Sequence, residues 1–297
     1  MKRIHVLAVI LIALITAPPC HATLITAEQQ KTFTTDGVIQ EGDVYETVSV
    51  YDTPPAHTTL NMTGGTVGDY YDTESGLYAY DASQINISGG EVLHLHTTDS
   101  SEVNITGGAV GAGHALFSYT ESHETSIINV CEGGSFVGGS LTQLILFDSS
   151  ILNVFGGRVD ALVGLGDSST INIFSGHALH IGTSADSIGV VSVYGGTIDS
   201  FRTNTYIADT ATVNIYGCDV VYDANGQWIQ PPDKDGWWMS KLTGIGLDGE
   251  EITWWGLPDP ATHPNINIIP EPSSSMLWML GALGLLQTKS QAERKER

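Results

Sequence analysis

Between residues 59 and 217 the chain repeats one short pattern. An apolar residue, a polar residue that is usually Asn, and a second apolar residue lead into Gly-Gly. Ile85-Asn86-Ile87-Ser88-Gly89-Gly90 and Val103-Asn104-Ile105-Thr106-Gly107-Gly108 show the unit most plainly. Its central position falls at Asn61, Asn86, Asn104, Asn129, Asn153, Asn172, Ser192 and Asn214. Alternation of this kind predicts a short strand with two apolar side chains inward and the Asn outward. The glycines predict a bend that needs positive φ or a close neighbour.

The steps between central positions run from 18 to 25 residues and average about 22. That length holds three short strands and three bends. Propeller blades need about 40 residues, and a β-sandwich would show hairpin turns, whereas this stretch has few Asn-Gly or Asp-Gly pairs. The predicted fold is therefore all-β: a single-stranded right-handed parallel β-helix of about 22 residues per coil, closed by a C-terminal β cap.

A second column supports the alignment. Five residues before the central position stand Asp81, Asp99, Glu124, Asp148, Asp167 and Asp209, with Asp-Ser-Ser at 99–101, 148–150 and 167–169. Such residues suit the turn that launches each strand. Stacked acids repel unless they are solvated or bridged by a cation. A solvated turn column is the plain expectation, and Ca²⁺ bridging is the alternative. The Asn column is expected to form an outward amide ladder.

The flanks differ. Residues 1–22 carry Lys2, Arg3 and a short apolar run with Pro18 and Pro19 behind it, the pattern of a secretory signal peptide. Residues 23–58 read as an N-terminal cap or first coil, with a strand over 44–51, and 59–218 as the repeats. Residues 219–269 hold five Trp and the hairpin signal Leu247-Asp248-Gly249-Glu250, which suits a cap. Asn265-Ile266-Asn267-Ile268 reads as a last strand.

Residues 270–297 contain Pro270-Glu271-Pro272, an apolar run from Met276 to Leu286, and a tail with Lys289, Arg294, Lys295 and Arg297. This resembles the PEP-CTERM sorting signal of exported bacterial proteins. The tail here is diluted by Glu293 and Glu296. The resemblance implies a short transmembrane segment, processing by an exosortase, and delivery to the cell surface or extracellular matrix. The repeats also resemble passenger repeats of bacterial autotransporters and adhesins, which implies display or adhesion.

Charge narrows the partners. The whole chain carries 11 Lys+Arg against 33 Asp+Glu, a net charge of −22. Residues 23–269 hold only Lys31, Arg158, Arg202, Lys234 and Lys241 as cations. Nucleic acid needs clustered Lys and Arg, so no nucleic-acid partner is expected. No organic cofactor is implied, and Ca²⁺ is the one ion kept in view.

Candidate chemistry is sparse. Cys131 and Cys218 lie about four coils apart, roughly 19 Å at the spacing of adjacent strands, so two free thiols are expected. His94 and His96 share a strand face with His114 a coil away, but they read as surface histidines and no metal site is assigned. No catalytic residue is assigned. The polygalacturonase signatures Asn-Thr-Asp, Asp-Asp, Gly-His-Gly and Arg-Ile-Lys are missing, and Asp160 and Asp199 are unprivileged carboxylates for a glycosidase. Trp237, Trp238, Trp254 and Trp255 are candidate sugar-stacking residues, with burial in the cap as the competing reading. The expected function is an exported structural or adhesive protein of the cell surface or matrix. The alternative is a polysaccharide-binding or polysaccharide-degrading protein, and exosortase, export machinery and exopolysaccharide are the expected partners.

Overall fold

The computed structural model describes residues 30–270, apart from 55–56, 70–71, 73, 112–118, 138–142, 185, 200–206, 208–209, 225–226, 229–236, 239, 248 and 258. The protein is all-β: among the described residues there is no helix, and 21 strands join one sheet. The predicted signal peptide, Asp209, His114 and all of the sorting segment beyond Pro270 lie outside the described residues.

Successive repeats pair side by side in parallel, and the pairing follows the Asn column. Asn61 pairs with Asn86, Asn86 with Asn104, Asn104 with Asn129, Asn129 with Asn153, and Asn153 with Asn172. Ser192 then bridges Asn172 to Asn214, and Asn214 pairs with Asn267 of the last strand. Two further ladders follow each bend. One runs from Val44–Tyr45 through Thr66 and Glu91 to Arg158, His177 and Thr197. The other runs from Gln30–Phe33 through Thr47–Val50 and Leu77–Ala79 to the ends of Ile151–Leu165 and Thr170–Thr183.

The alternation predicted for the repeats holds. Ile85, Ile87, Val103, Ile105, Ile128 and Val130 are fully buried, and together with their counterparts they form one continuous core. Each buried aliphatic side chain contributes about 1.5–3 kcal/mol. The polar residues between them turn outward and bond along the stack. Asn104 donates to Asn86 Oδ1 at 3.1 Å, Asn129 to Asn104 at 2.7 Å, Asn153 to Asn129 at 2.9 Å and Asn172 to Asn153 at 2.9 Å.

Both bends have a steric cause. Asp81, Asp99, Glu124, Asp148 and Asp167 all have positive φ, a left-handed conformation that Asp tolerates better than most residues. Asp99 and Asp148 also accept the backbone N–H of the preceding acid at 3.0 Å, from Asp81 and Glu124 respectively. The serine two residues further on is buried, and Ser126, Ser150 and Ser169 each donate to the carbonyl three residues back at 2.7–2.8 Å. At the Gly-Gly bend, Gly108 has φ 77°. A Cβ on Gly107 would lie 2.4 Å from the Ser88 carbonyl oxygen, so the backbone of the neighbouring repeat excludes any side chain.

Of the two readings of 23–58, cap or first coil, the pairing favours a coil: Gly37–Ile39 pairs with Leu60–Met62, placing Val38 opposite Asn61. Val38 is 58% exposed and supplies no amide, so sequence matching on Asn passes over it. The strand expected over 44–51 is broken at Glu46, because a bend there separates strands of two different ladders. At the other end, the hairpin forms as expected: Lys241–Gly246 pairs antiparallel with Glu251–Trp255, and Gly249 has φ 83°. This hairpin joins the stack through a parallel pairing of Gly196–Asp199 with Ile252–Trp255.

Glycine at 107 and acids at the left-handed turns are thus structural requirements. Gly107→Ala is expected to destabilise the protein by more than about 2 kcal/mol, and Asp148→Val by about 1–2 kcal/mol through its β-branched side chain at positive φ. Asp148→Gly should cost less than Asp148→Val. Urea unfolding of the three variants checks the order.

Candidate functional site

The third ladder presents the most chemically distinctive surface. Its outward row reads Ser49, Tyr78, His96, Glu121, Ile145, Gly164 and Gly182, each paired with the next. A second row starts two residues on and contains Tyr51, Tyr80, Thr98, His123 and Phe147. In-register strands lie about 4.8 Å apart, which sets flat rings face to face. Tyr51 stacks on Tyr80 with centroids 4.5 Å apart, Tyr78 on His96 at 4.6 Å, and His123 on Phe147 at 4.7 Å.

Acids hold the imidazoles in place. Glu121 Oε2 lies 3.8 Å from His96 Nδ1 and 3.5 Å from His123 Nε2, and His123 Nδ1 is 3.9 Å from Asp148. Burial pushes the His96 pKa below its ordinary value, and Glu121 opposes that shift. Burial, then the neighbouring Asp72, Glu74 and Glu121, raises the Tyr78 phenol. At neutral pH the row is therefore a set of uncharged rings with one acid among them.

A second cluster lies on the ladder that follows the Gly-Gly bend. His177 Nε2 is 3.0 Å from Asp199 Oδ2, and its Nδ1 is 3.5 Å from Asp160 Oδ1. Arg158 Nε bonds the other oxygen of Asp160. The structure thus brings together the two carboxylates considered for a glycosidase. The imidazole fills the space between them, where an inverting mechanism would place water. The cluster is a polar staple across three neighbouring strands. A third feature, beside the Asn ladder, is the stack Phe155, Phe174, Tyr194 and Tyr216 at 4.6–4.8 Å.

The candidate tryptophans are not gathered at one site. Trp254 is fully buried, opposite Ile198 in the core column, so its ring is not available to a sugar. Trp255 turns outward with Lys241 Nζ 4.9 Å from its ring centre. Trp237–Trp238 pairs antiparallel with Gln227–Trp228, and the side chains of that pair lie outside the described residues. His94 is fully buried in the bend before Leu95–Thr97, which corrects its reading as a surface residue. Cys131 and Cys218 are free thiols, as expected. Pro270 is exposed after the last strand, while Glu271, Pro272, Lys289, Arg294, Lys295 and Arg297 lie outside the described residues. Among the described residues no group of His, Cys, Asp or Glu is arranged to hold a metal ion.

Sequence reasoning passed over the aromatic row, although its signal was present. Tyr80, Thr98, His123 and Phe147 each stand immediately before an acid of the turn column, and Tyr78, His96 and Glu121 stand three before it. Comparison with protein families, with curated proteins and with solved structures finds no match.

Burial of neutral imidazoles gives a signed pH dependence. His96 and His180 both have folded-state pKa values lowered by burial. As pH falls through the ordinary histidine value, the unfolded chain binds protons first, so stability drops until the folded-state values are passed. Melting temperature measured from pH 7.5 to 5 should fall more steeply in the wild type than in the His96→Gln/His180→Gln variant.

Proposed function

We propose that this is an exported bacterial protein with a non-catalytic structural or adhesive role at the cell surface or in the extracellular matrix. On this reading the stacked repeats are a right-handed parallel β-helix of about 22 residues per coil with a C-terminal β cap, and the rod displays three long faces. The unbroken parallel register from Gly37 to Ile269 supports that architecture. Pro270-Glu271-Pro272 with its apolar run and basic tail is the sorting signal, cut by an exosortase after export. The signal peptide and sorting segment rest on sequence alone.

The observation that carries the adhesive role is the pair of adjacent rows of stacked rings, Tyr78 and His96 in one, and Tyr51, Tyr80, His123 and Phe147 in the other. Flat rings at strand spacing offer platforms for the apolar faces of sugars, and neighbouring acids supply acceptors for hydroxyl groups. A degradative role has less support, because His177 stands between Asp160 and Asp199, the two carboxylates considered for a glycosidase. The strong negative charge disfavours anionic polymers, unless Ca²⁺ bridges the acids of the turn column to them.

One experiment tests both halves. The full chain is expressed in a host that carries an exosortase, and the released product is weighed by mass spectrometry and mixed with neutral and acidic polysaccharides, with and without Ca²⁺. Loss of the segment after residue 270 and co-elution with polymer of unchanged length are expected. Release with the tail intact would contradict the sorting role, and shortened polymer would contradict the non-catalytic one.

A further inference from the structure

Beyond Glu121 the outward row of the third ladder changes character. Ile145 is followed by Gly164 and Gly182, so two neighbouring strands carry no side chain at this position of the row. A cavity of about 500 Å³ opens over them, with Ile145, Phe147 and His180 in its walls and Asp167 and Asp186 at its rim. That volume lies within the range of small-ligand sites, about 300–1,000 Å³.

Gly164 is the informative residue. Its backbone is not in the left-handed region, and a Cβ built there would meet nothing nearer than Ile145 Cγ2 at 4.0 Å. This contrasts with Gly107, whose Cβ would be 2.4 Å from a carbonyl oxygen. Neither backbone conformation nor packing requires glycine at 164. What glycine does there is keep the floor of the cavity open.

We infer that this glycine-floored groove is a binding site for a pyranose unit of a neutral polysaccharide, lying at the end of the aromatic row. The inference rests on the adhesive reading of the same face and names the ligand class. A flat floor with Ile145 and Phe147 beside it matches the apolar face of a sugar ring. His180 has its pKa lowered by burial, so at neutral pH the imidazole offers one donor and one acceptor to hydroxyl groups. Asp167 and Asp186 add acceptors, and their charge repels uronate or sulfate groups. A pyranose ring is comparable in length to the strand spacing, so a linear glycan can continue from the groove onto Phe147 and His123, which already stack on each other.

The test uses the full chain in mild detergent, titrated calorimetrically with cello-, malto- and xylo-oligosaccharides and with polygalacturonate. The variants are Gly164→Trp, which fills the groove, and His180→Ala, which removes the hydroxyl partner without filling it. Binding of at least one neutral oligosaccharide is expected. Each variant should weaken it about tenfold or more at unchanged melting temperature. If Gly164→Trp fails to fold, His180→Ala decides. Neutral-glycan binding that both variants retain would overturn the groove while leaving the adhesive role of the aromatic row standing. Failure of the wild type to bind any neutral oligosaccharide would overturn the inference outright, and retention on polygalacturonate alone would then assign adhesion to acidic polymers.

Discussion

The protein depends on one constraint: the central residue of each repeat must pair with the central residue of the next. An amide ladder from Asn61 to Asn172 enforces this register on the outside, while the aliphatic residues on either side enforce it within. A slip of one residue would place every Ile and Val in water and every Asn in the core. Because the register holds, each further sequence column becomes a physical row. The acids become a line of left-handed turns, the glycines a line of close backbone approaches, and the rings a line of stacks.

That geometry favours surfaces over pockets. Among the described residues adjacent repeats pair in register, so chemistry appears as rows along three ladders. On one ladder the rows are amides flanked by Phe155, Phe174, Tyr194 and Tyr216; on another, Asp160 and Asp199 stand against His177 and Arg158. On the third they are stacked phenols and imidazoles that end in a glycine floor. Such rows suit an extended partner lying along the stack, in keeping with the adhesive role proposed above.

The Asn column and the Gly-Gly bends were legible because each is repeated with the same residue type. Their pairing follows the sequence alignment from Asn61 to Asn214, and the structure adds Asn267 of the last strand, which lies 53 residues beyond Asn214 and bonds it at 3.0 Å. Rows of mixed residue type were harder to see. Tyr80, His123 and Phe147 share a place but not a chemistry, and Arg158, His177 and Thr197 likewise, so only a register imposed from outside aligns them. A first coil within 23–58 is one of the two expected readings, but its place in the Asn column is hidden because Val38 stands where Asn recurs. Burial of part of the Trp set in the cap is an expectation that Trp254 meets; which member of an aromatic pair faces the core is not legible in the sequence.

The most direct test of the stacked register is disulfide cross-linking between rungs, with the native cysteines replaced by serine. In-register partners on adjacent strands stand about 4.8 Å apart, within reach of a disulfide, while positions two rungs apart stand at about twice that and are out of reach. Asn129→Cys/Asn153→Cys should oxidise readily to an intramolecular disulfide, and Asn129→Cys/Asn172→Cys should remain reduced. Equal oxidation of both pairs, or of the second alone, would contradict the register on which the fold and every surface row depend.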